Sequence, residues 1–286
     1  MEKEKSNITC SILNETQNII NELGWDEGDE SSTYFNKYCN MLECFSNEQQ
    51  KLILDLTRKF QRIGVAEYIR YINKALSRFE ESVFDGCRKV YILPLLCPSD
   101  FGKCKSQLYV QYMFKFPEVR KHPVLVDTET KPIVIETLDS LPNNINDTPN
   151  MILFVDDFIG SGETAASAIN SWITEYGISK NKIKVLSLIA QETGILNIES
   201  IGIAVYCFTI LNKGISDNYI GNDLEYRLTI MEGIEDLLKV KEGYRFGYNH
   251  SEALVSLART PNNTFPVFWL ETTLDNGVDY KPPFPR

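Results

Sequence analysis

The chain has 286 residues, 43% of them hydrophobic and 24% charged, with 15 Phe and 14 Tyr. This composition excludes a disordered or fibrous protein, and the length suits one large α/β domain or one domain with a helical addition. A net charge of −10 argues against long, sequence-blind contact with a nucleic-acid backbone, because that affinity comes from Lys and Arg neutralising phosphates.

The first 80 or so residues read as helical. Apolar positions in NEQQKLILDLTRKFQRIGVAEYIRYINKALSRF recur at spacings of three and four, Ser46 is placed to cap with Gln49 three residues on, and no strand is expected there. The texture changes at VYILPLL, residues 90–96, a short apolar run that suits a buried strand. A loop, CPSDFGKCKS, follows, then a predicted helix over 107–116 and a strand, PIVIETL, at 132–138. PNNINDTPN, at 142–150, is turn chemistry. Next come the strand MILFV, a glycine turn, the helix TAASAINSWITEYG ending at Gly177, and the strand IKVLSLIA at 183–190. Strand, helix and strand in so short a span make a βαβ unit, which implies a parallel sheet. Another strand, IAVYCFTIL, is expected at 203–211, before a polar helical stretch and a proline-rich end. The expected division is a helical region over 1–85 and an α/β domain over 86–286.

The seven cysteines form no CxxC pair and the two histidines offer few further ligands, so the thiols read as reduced and mostly buried. No apolar run reaches the roughly 18 residues of a membrane span, and the start MEKEKSN has no signal-peptide core. No membrane association and a cytoplasmic location are expected.

The segment VDDFIGSGET, residues 155–164, carries the chemistry. Two adjacent carboxylates raise each other's cost of ionisation, yet a turn follows whose helix N-terminus offers unpaired N–H groups to an anion. A P-loop requires a lysine that does not follow Gly162. The dinucleotide fingerprint is formally matched by Gly160, Gly162 and Ala165, but its first glycine should leave the strand directly, and no acid lies about 20 residues on. A third pattern fits: hydrophobic strand, two acids, two apolar residues, two small residues, Gly, any residue, Thr. It resembles the phosphoribosyl-pyrophosphate (PRPP) loop of the type I phosphoribosyltransferases, although Gly160 stands where that family more often has Ser or Thr.

This resemblance implies an α/β fold, with a parallel sheet flanked by helices and a C-terminal hood-like segment. It implies that Gly160, Ser161, Gly162, Glu163 and Thr164 cradle the 5-phosphate, and that Asp156 and Asp157 reach the ribose hydroxyls, directly or through Mg²⁺ and water. The same two acids would be the metal ligands and, with Lys103 and Lys105, the catalytic residues. Holding the departing pyrophosphate falls to the loop after the first core strand, where Ser99, Asp100, Gly102, Lys103, Lys105 and Ser106 offer hydroxyls, a flexible backbone and two cations. The plain alternatives are a charged helix cap and a solvated loop. Lys213 and Asp217 follow a core strand, where an open parallel sheet places ligand contacts, though a helix cap explains them equally. Asn262 and Asn263 either hydrogen-bond a base or acceptor or satisfy a tight turn, with Phe265, Phe268 and Trp269 stacking or completing the core. His250 and the cysteines are left out of the site.

The helical start together with PSDFGKCKS, VDDFIGSGET, NKGISD and RTPNNTFPVFW resembles, from about residue 45 onward, a bacterial family of divergent phosphoribosyltransferase-like proteins. That family belongs to phage-defence and other conflict systems, including some retrons. The resemblance implies an effector or toxin acting on PRPP or a nucleotide. Its partners would be a reverse transcriptase and non-coding nucleic acid complex, or other defence proteins; homo-oligomerisation is left open. The rival reading is a silent PRPP or nucleotide sensor that binds partners without turnover. Nucleic-acid binding through Lys51, Arg58, Lys59, Arg62 and Arg70 is a third reading, set against a solvated helix face.

Overall fold

A computed structural model describes residues 8–26, 33–103, 105–126, 131–143 and 145–286. In chain order the helices and strands are α1 (Cys10–Glu22), α2 (Tyr34–Leu42), α3 (Asn47–Thr57), β1 (Gln61–Arg62), α4 (Tyr68–Leu76), β2 (Lys89–Pro94), α5 (Gln107–Met113), α6 (Pro117–Arg120), α7 (Pro123–Val126), β3 (Lys131–Val134), β4 (Asn150–Ile159), α8 (Glu163–Tyr176), β5 (Ile183–Gln191), α9 (Glu192–Ser200), β6 (Val205–Leu211), α10 (Gly221–Leu237), β7 (Val255–Ser256), β8 (Thr272–Thr273) and β9 (Asp279–Tyr280). The chain forms two compact units, one of Ile63–Leu211 and one of the residues up to Arg62 with Asn212–Arg286.

The Ile63–Leu211 unit is a five-stranded sheet in the order β3-β2-β4-β5-β6, parallel throughout and flanked by helices. The apolar runs read from the sequence become its central strands, buried because a parallel sheet is covered on both faces. Burial is complete along Val90, Ile92 and Leu93 of β2 and along Ile152 to Val155 of β4. Helix α8 lays Ile169 and Trp172 on this core, with the Trp172 ring 5.6 Å from Phe154 and its Nε1 donating to Leu96 O at 2.7 Å. Burying one such aromatic side chain contributes roughly 2–3 kcal/mol. Helices α4 and α5 pack on the sheet and on each other, as do α8 and α9.

Strand β4 runs further than its sequence suggests. MILFV was expected to end the strand at Val155, but β5 supplies ladder partners beyond it: Asp156 pairs with Ser187, Phe158 with Ile189 and Ile159 with Ala190. Both aspartates are therefore strand residues. The predicted helix over 107–116 stops as α5 at Met113, before Phe116-Pro117, and the strand expected at 132–138 shortens to β3.

The other unit gathers α1, α2, α3 and α10 with the C-terminal segment around one apolar core. Ser46 and Gln49 form the expected capping box on α3. The amphipathic helices α1 and α3 leave apolar faces that need a partner, and Phe268, Tyr280 and Phe284 provide it: Phe284 stacks on Phe60 at 4.7 Å and meets Trp25 edge-on at 5.3 Å. The compact units thus do not follow the expected boundary after residue 85. Helix α4 lies with the sheet, on which it buries Tyr68, Ile72, Ala75 and Leu76, and the chain beyond Leu211 lies with the N-terminal helices. Nor is the N-terminal region free of strand, since β1 pairs in parallel with β7.

Candidate functional site

Counting only the strands of the sheet, the order is 2-1-3-4-5. From β2 the chain moves outward to β3, then returns to build β4 on the opposite side. The crevice at the carboxyl ends of two such strands is where open α/β sheets take ligands. Strand β2 ends at Pro94 and leads into the 95–106 loop; β4 ends at Ile159 and leads into the 160–162 turn. Both segments singled out in the sequence thus leave adjacent strands on the same side of the sheet.

Asp156 and Asp157 are buried, at 6% and 4% exposure. Asp157 accepts from Tyr68 OH at 3.1 Å and from Ser106 Oγ at 2.9 Å. Asp156 accepts from Gln107 Nε2 at 3.2 Å and, through its other oxygen, from the Asp157 main-chain N–H at 2.8 Å. Burial pushes both carboxyls above the usual range. For Asp156 the neighbouring charge of Asp157 adds to that push, whereas for Asp157 the donors around it oppose it. Among the described residues, no lysine or arginine bonds to either acid; the donors are a phenol, a hydroxyl, a side-chain amide and a main-chain N–H.

The turn after β4 is set by backbone. Gly162 adopts φ +77°, a left-handed conformation that favours glycine, and a Cβ there would lie 2.5 Å from Gly194 O at the start of α9. Gly194 has the reciprocal constraint, since its Cβ would overlap Gly160 O. Asn197 Nδ2 adds a bond to Ser161 O at 3.1 Å, and Ser161 Oγ accepts from Glu163 N at 3.5 Å. Ala166 N makes the first helical bond of α8, to Gly162 O at 2.8 Å. The side chains of Glu163 and Thr164 are exposed.

In the 95–106 loop, Ser99 and Gly102 are exposed and Pro98–Asp100 forms a 3-10 turn. Lys103 Nζ and Lys105 Nζ both donate to the Asp100 carboxylate, each at 2.5 Å, and hold its acid down at about 2. Ser106 is therefore brought to the aspartates, while the two lysines pair with Asp100. Cys104 lies outside the described residues.

The model of the PRTase-CE family, a phosphoribosyltransferase-like family, matches residues 42–286. The chain belongs to the PRTase-CE family. Among curated proteins no match is found. In this PRTase-CE protein, among the described residues, no helix is long and apolar enough to cross a membrane.

The remaining predicted residues of the PRTase-CE chain lie in the other unit, and each has local work. Asp217 accepts from Lys213 N at 2.7 Å, closing the turn after β6, and Asn218 Nδ2 donates to Lys213 O at 2.7 Å. Asn262 O accepts from Tyr248 N at 2.9 Å; Asn263 O accepts from Ala253 N at 3.1 Å and Ser251 Oγ at 2.9 Å. Phe265, Phe268 and Trp269 are buried. The basic N-terminal run is partly neutralised: Arg58 pairs with Glu15 and Glu22, and Arg70 with Glu67.

Sequence reasoning missed Tyr68, Gln107, Gly194 and Asn197. Tyr68 sits at helical spacing among apolar residues, where a tyrosine reads as core. Gly194 left a usable signal, because a glycine in the first turn of a helix costs about 1 kcal/mol relative to alanine and so marks a close approach.

Proposed function

We propose that the crevice between the 95–106 loop and the 160–164 turn binds PRPP or a phosphoribosyl nucleotide with Mg²⁺. There the protein transfers, or hydrolyses, the phosphoribosyl group at its anomeric carbon. The observation that carries this reading is the sheet order: it sets both segments at the carboxyl ends of adjacent strands, flanking the switch point.

In this reaction the bond from the anomeric carbon to the leaving phosphate breaks as the acceptor's bond forms, and positive charge builds on the sugar. The N–H groups opening α8 hold the 5-phosphate, aided by the helix dipole. Asp156 and Asp157 take sugar hydroxyls and, when ionised, offset the developing charge, so that catalysis comes from positioning and electrostatics. Lys103 and Lys105 face the departing pyrophosphate once released from Asp100. The acids suit Mg²⁺, which takes one or two carboxylates and keeps several waters, because two neighbouring carboxyls close enough to bond each other supply the oxygen ligands it requires. The ion would neutralise charge on the leaving group.

One arrangement favours a second reading, a sensor without turnover: both lysines are occupied by Asp100 and both acids are covered by neutral donors. As the biological setting we propose an effector of a bacterial antiphage system, partnered by a reverse transcriptase complex or another defence protein, on the strength of the sequence resemblance alone.

Calorimetric titration with PRPP and Mg²⁺, followed by a pyrophosphate-release assay with water, free bases, nucleic acid and protein as acceptors, tests the readings. Release that disappears in Asp156→Asn/Asp157→Asn supports the enzyme. Binding without release in any mixture assigns the sensor, and absence of binding overturns both.

A further inference from the structure

The donors that satisfy the two aspartates differ in how firmly the fold holds them. Tyr68, at the start of α4, is fully buried. Ser106 ends the 95–106 loop and Gln107 opens α5; both are half-buried, so each side chain that holds an acid here itself reaches solvent. Within that loop Gly102 takes φ +86°, and among the described residues nothing outside its chain neighbours lies within 4 Å of its Cβ position.

This cover is also imperfectly satisfied. Gln107 Oε1 is buried and, among the described residues, accepts no hydrogen bond. Ser106, in helical backbone at the start of α5, directs its hydroxyl to Asp157, while the first N–H groups of the helix, those of Leu108 and Tyr109, donate to Lys105 O and Ser106 O. A buried unsatisfied acceptor is unfavourable, so the covered state carries, at Gln107 Oε1, a hydrogen-bonding demand that leaving the acids would relieve.

We propose that Ser106 and Gln107 form a displaceable cover standing in the places of ligand hydroxyls, and that Tyr68 is a positioning residue holding Asp157 when the cover leaves. The proposal rests on the phosphoribosyl reading above. A sugar with vicinal hydroxyls offers new O–H donors to the oxygens the cover vacates, while Gln107 Oε1 becomes free to meet water. The exchange selects ribose over 2-deoxyribose, since a missing hydroxyl leaves a buried carboxylate oxygen without its replacement donor.

The test is calorimetric titration of the full chain with ribose 5-phosphate, 2-deoxyribose 5-phosphate and inorganic phosphate, each with Mg²⁺. In Ser106→Ala/Gln107→Ala the competitor is gone, so ribose 5-phosphate should bind about tenfold more tightly while inorganic phosphate changes less than about twofold. Ser106→Thr, which keeps the hydroxyl, should behave as wild type. Tyr68→Phe should weaken ribose 5-phosphate roughly fivefold and leave inorganic phosphate unmoved. If thermal melting shows the double variant unfolded, Gln107→Met alone carries the test, with the same sign. Ribose 5-phosphate binding that weakens or stays equal when the cover is removed, or wild-type binding that does not prefer it to the 2-deoxy sugar, overturns the cover. Absence of ribose 5-phosphate binding in wild type and variants alike overturns the phosphoribosyl reading as well.

Discussion

Each of the two units buries carboxylates, and they satisfy them by opposite means. Glu252, 3% exposed in the unit of the N-terminal helices, accepts from the main-chain N–H groups of Ile215 and Ser216, each at 2.8 Å, and from Ser216 Oγ. Main-chain donors are fixed by the fold itself. Asp157 in the sheet unit is held by the side chains of Tyr68 and Ser106, and Asp156 by that of Gln107 with one main-chain N–H. Side-chain donors can rotate away without unravelling the backbone. A buried carboxylate clamped by main chain is part of the scaffold; one held by side chains is available for exchange.

Substitution should separate the two. The largest effect is expected at Glu252→Ala, which orphans two main-chain N–H groups and a hydroxyl. We expect a loss of about 4 kcal/mol in urea unfolding, with the m-value unchanged. A loss under about 1 kcal/mol would mean that the 213–217 turn does not depend on this acid.

Glu235, fully buried on α10, is an intermediate case. Its Oε1 accepts from Phe246 N at 2.7 Å, its Oε2 accepts no hydrogen bond among the described residues, and Arg245 Nε stands 3.7 Å away. Burial, partly opposed by the Phe246 bond and Arg245, raises its carboxyl from 4.5 to about 7. A carboxyl raised in the folded state contributes stability that is complete below its unfolded value and lost as pH climbs through the folded one. Between pH 4.5 and above 7 this group should therefore remove on the order of 3 kcal/mol, and Glu235→Gln should flatten that decline and outlast wild type above pH 7. Melting temperature followed against pH for both proteins checks the sign.

The smallest effect is expected at Asp156→Asn, and it is a gain. The change removes one of two mutually repelling buried carboxyls, so stability at neutral pH should rise by about 1–2 kcal/mol while any Mg²⁺-dependent PRPP binding falls. Stability that instead drops in denaturant unfolding would place these acids with Glu252, as scaffold.

Much of the sheet was legible because its strands are uninterrupted apolar runs between turn residues, and the 160–164 turn was legible from its glycines. The length of β4 was not: nothing in VDDFI announces that β5 will go on supplying ladder partners past the acids. The division into units was hidden too, because Trp25 and Phe60, which follow α1 and α3, find partners in Phe268 and Phe284, more than 200 residues away in the chain. Ser106 could be read as a loop residue, but its bond to Asp157 spans 51 positions and leaves no local trace. The lysines were read as cations for an anion, and Asp100, three and five residues before them, was read as a fellow ligand; the pairing among the three follows from a tight turn that composition alone does not fix.

The reciprocal glycines of the β4 turn have a consequence for how such a site can diversify. With Gly162 against the Gly194 carbonyl, and Gly194 against that of Gly160, the width of this seat is written in main chain on both sides. Neither position has a side chain to trim, so enlarging one cannot be compensated by shrinking the other. Whatever variety of ligand this framework accepts has to be tuned on the opposite wall, where residues are free to change size.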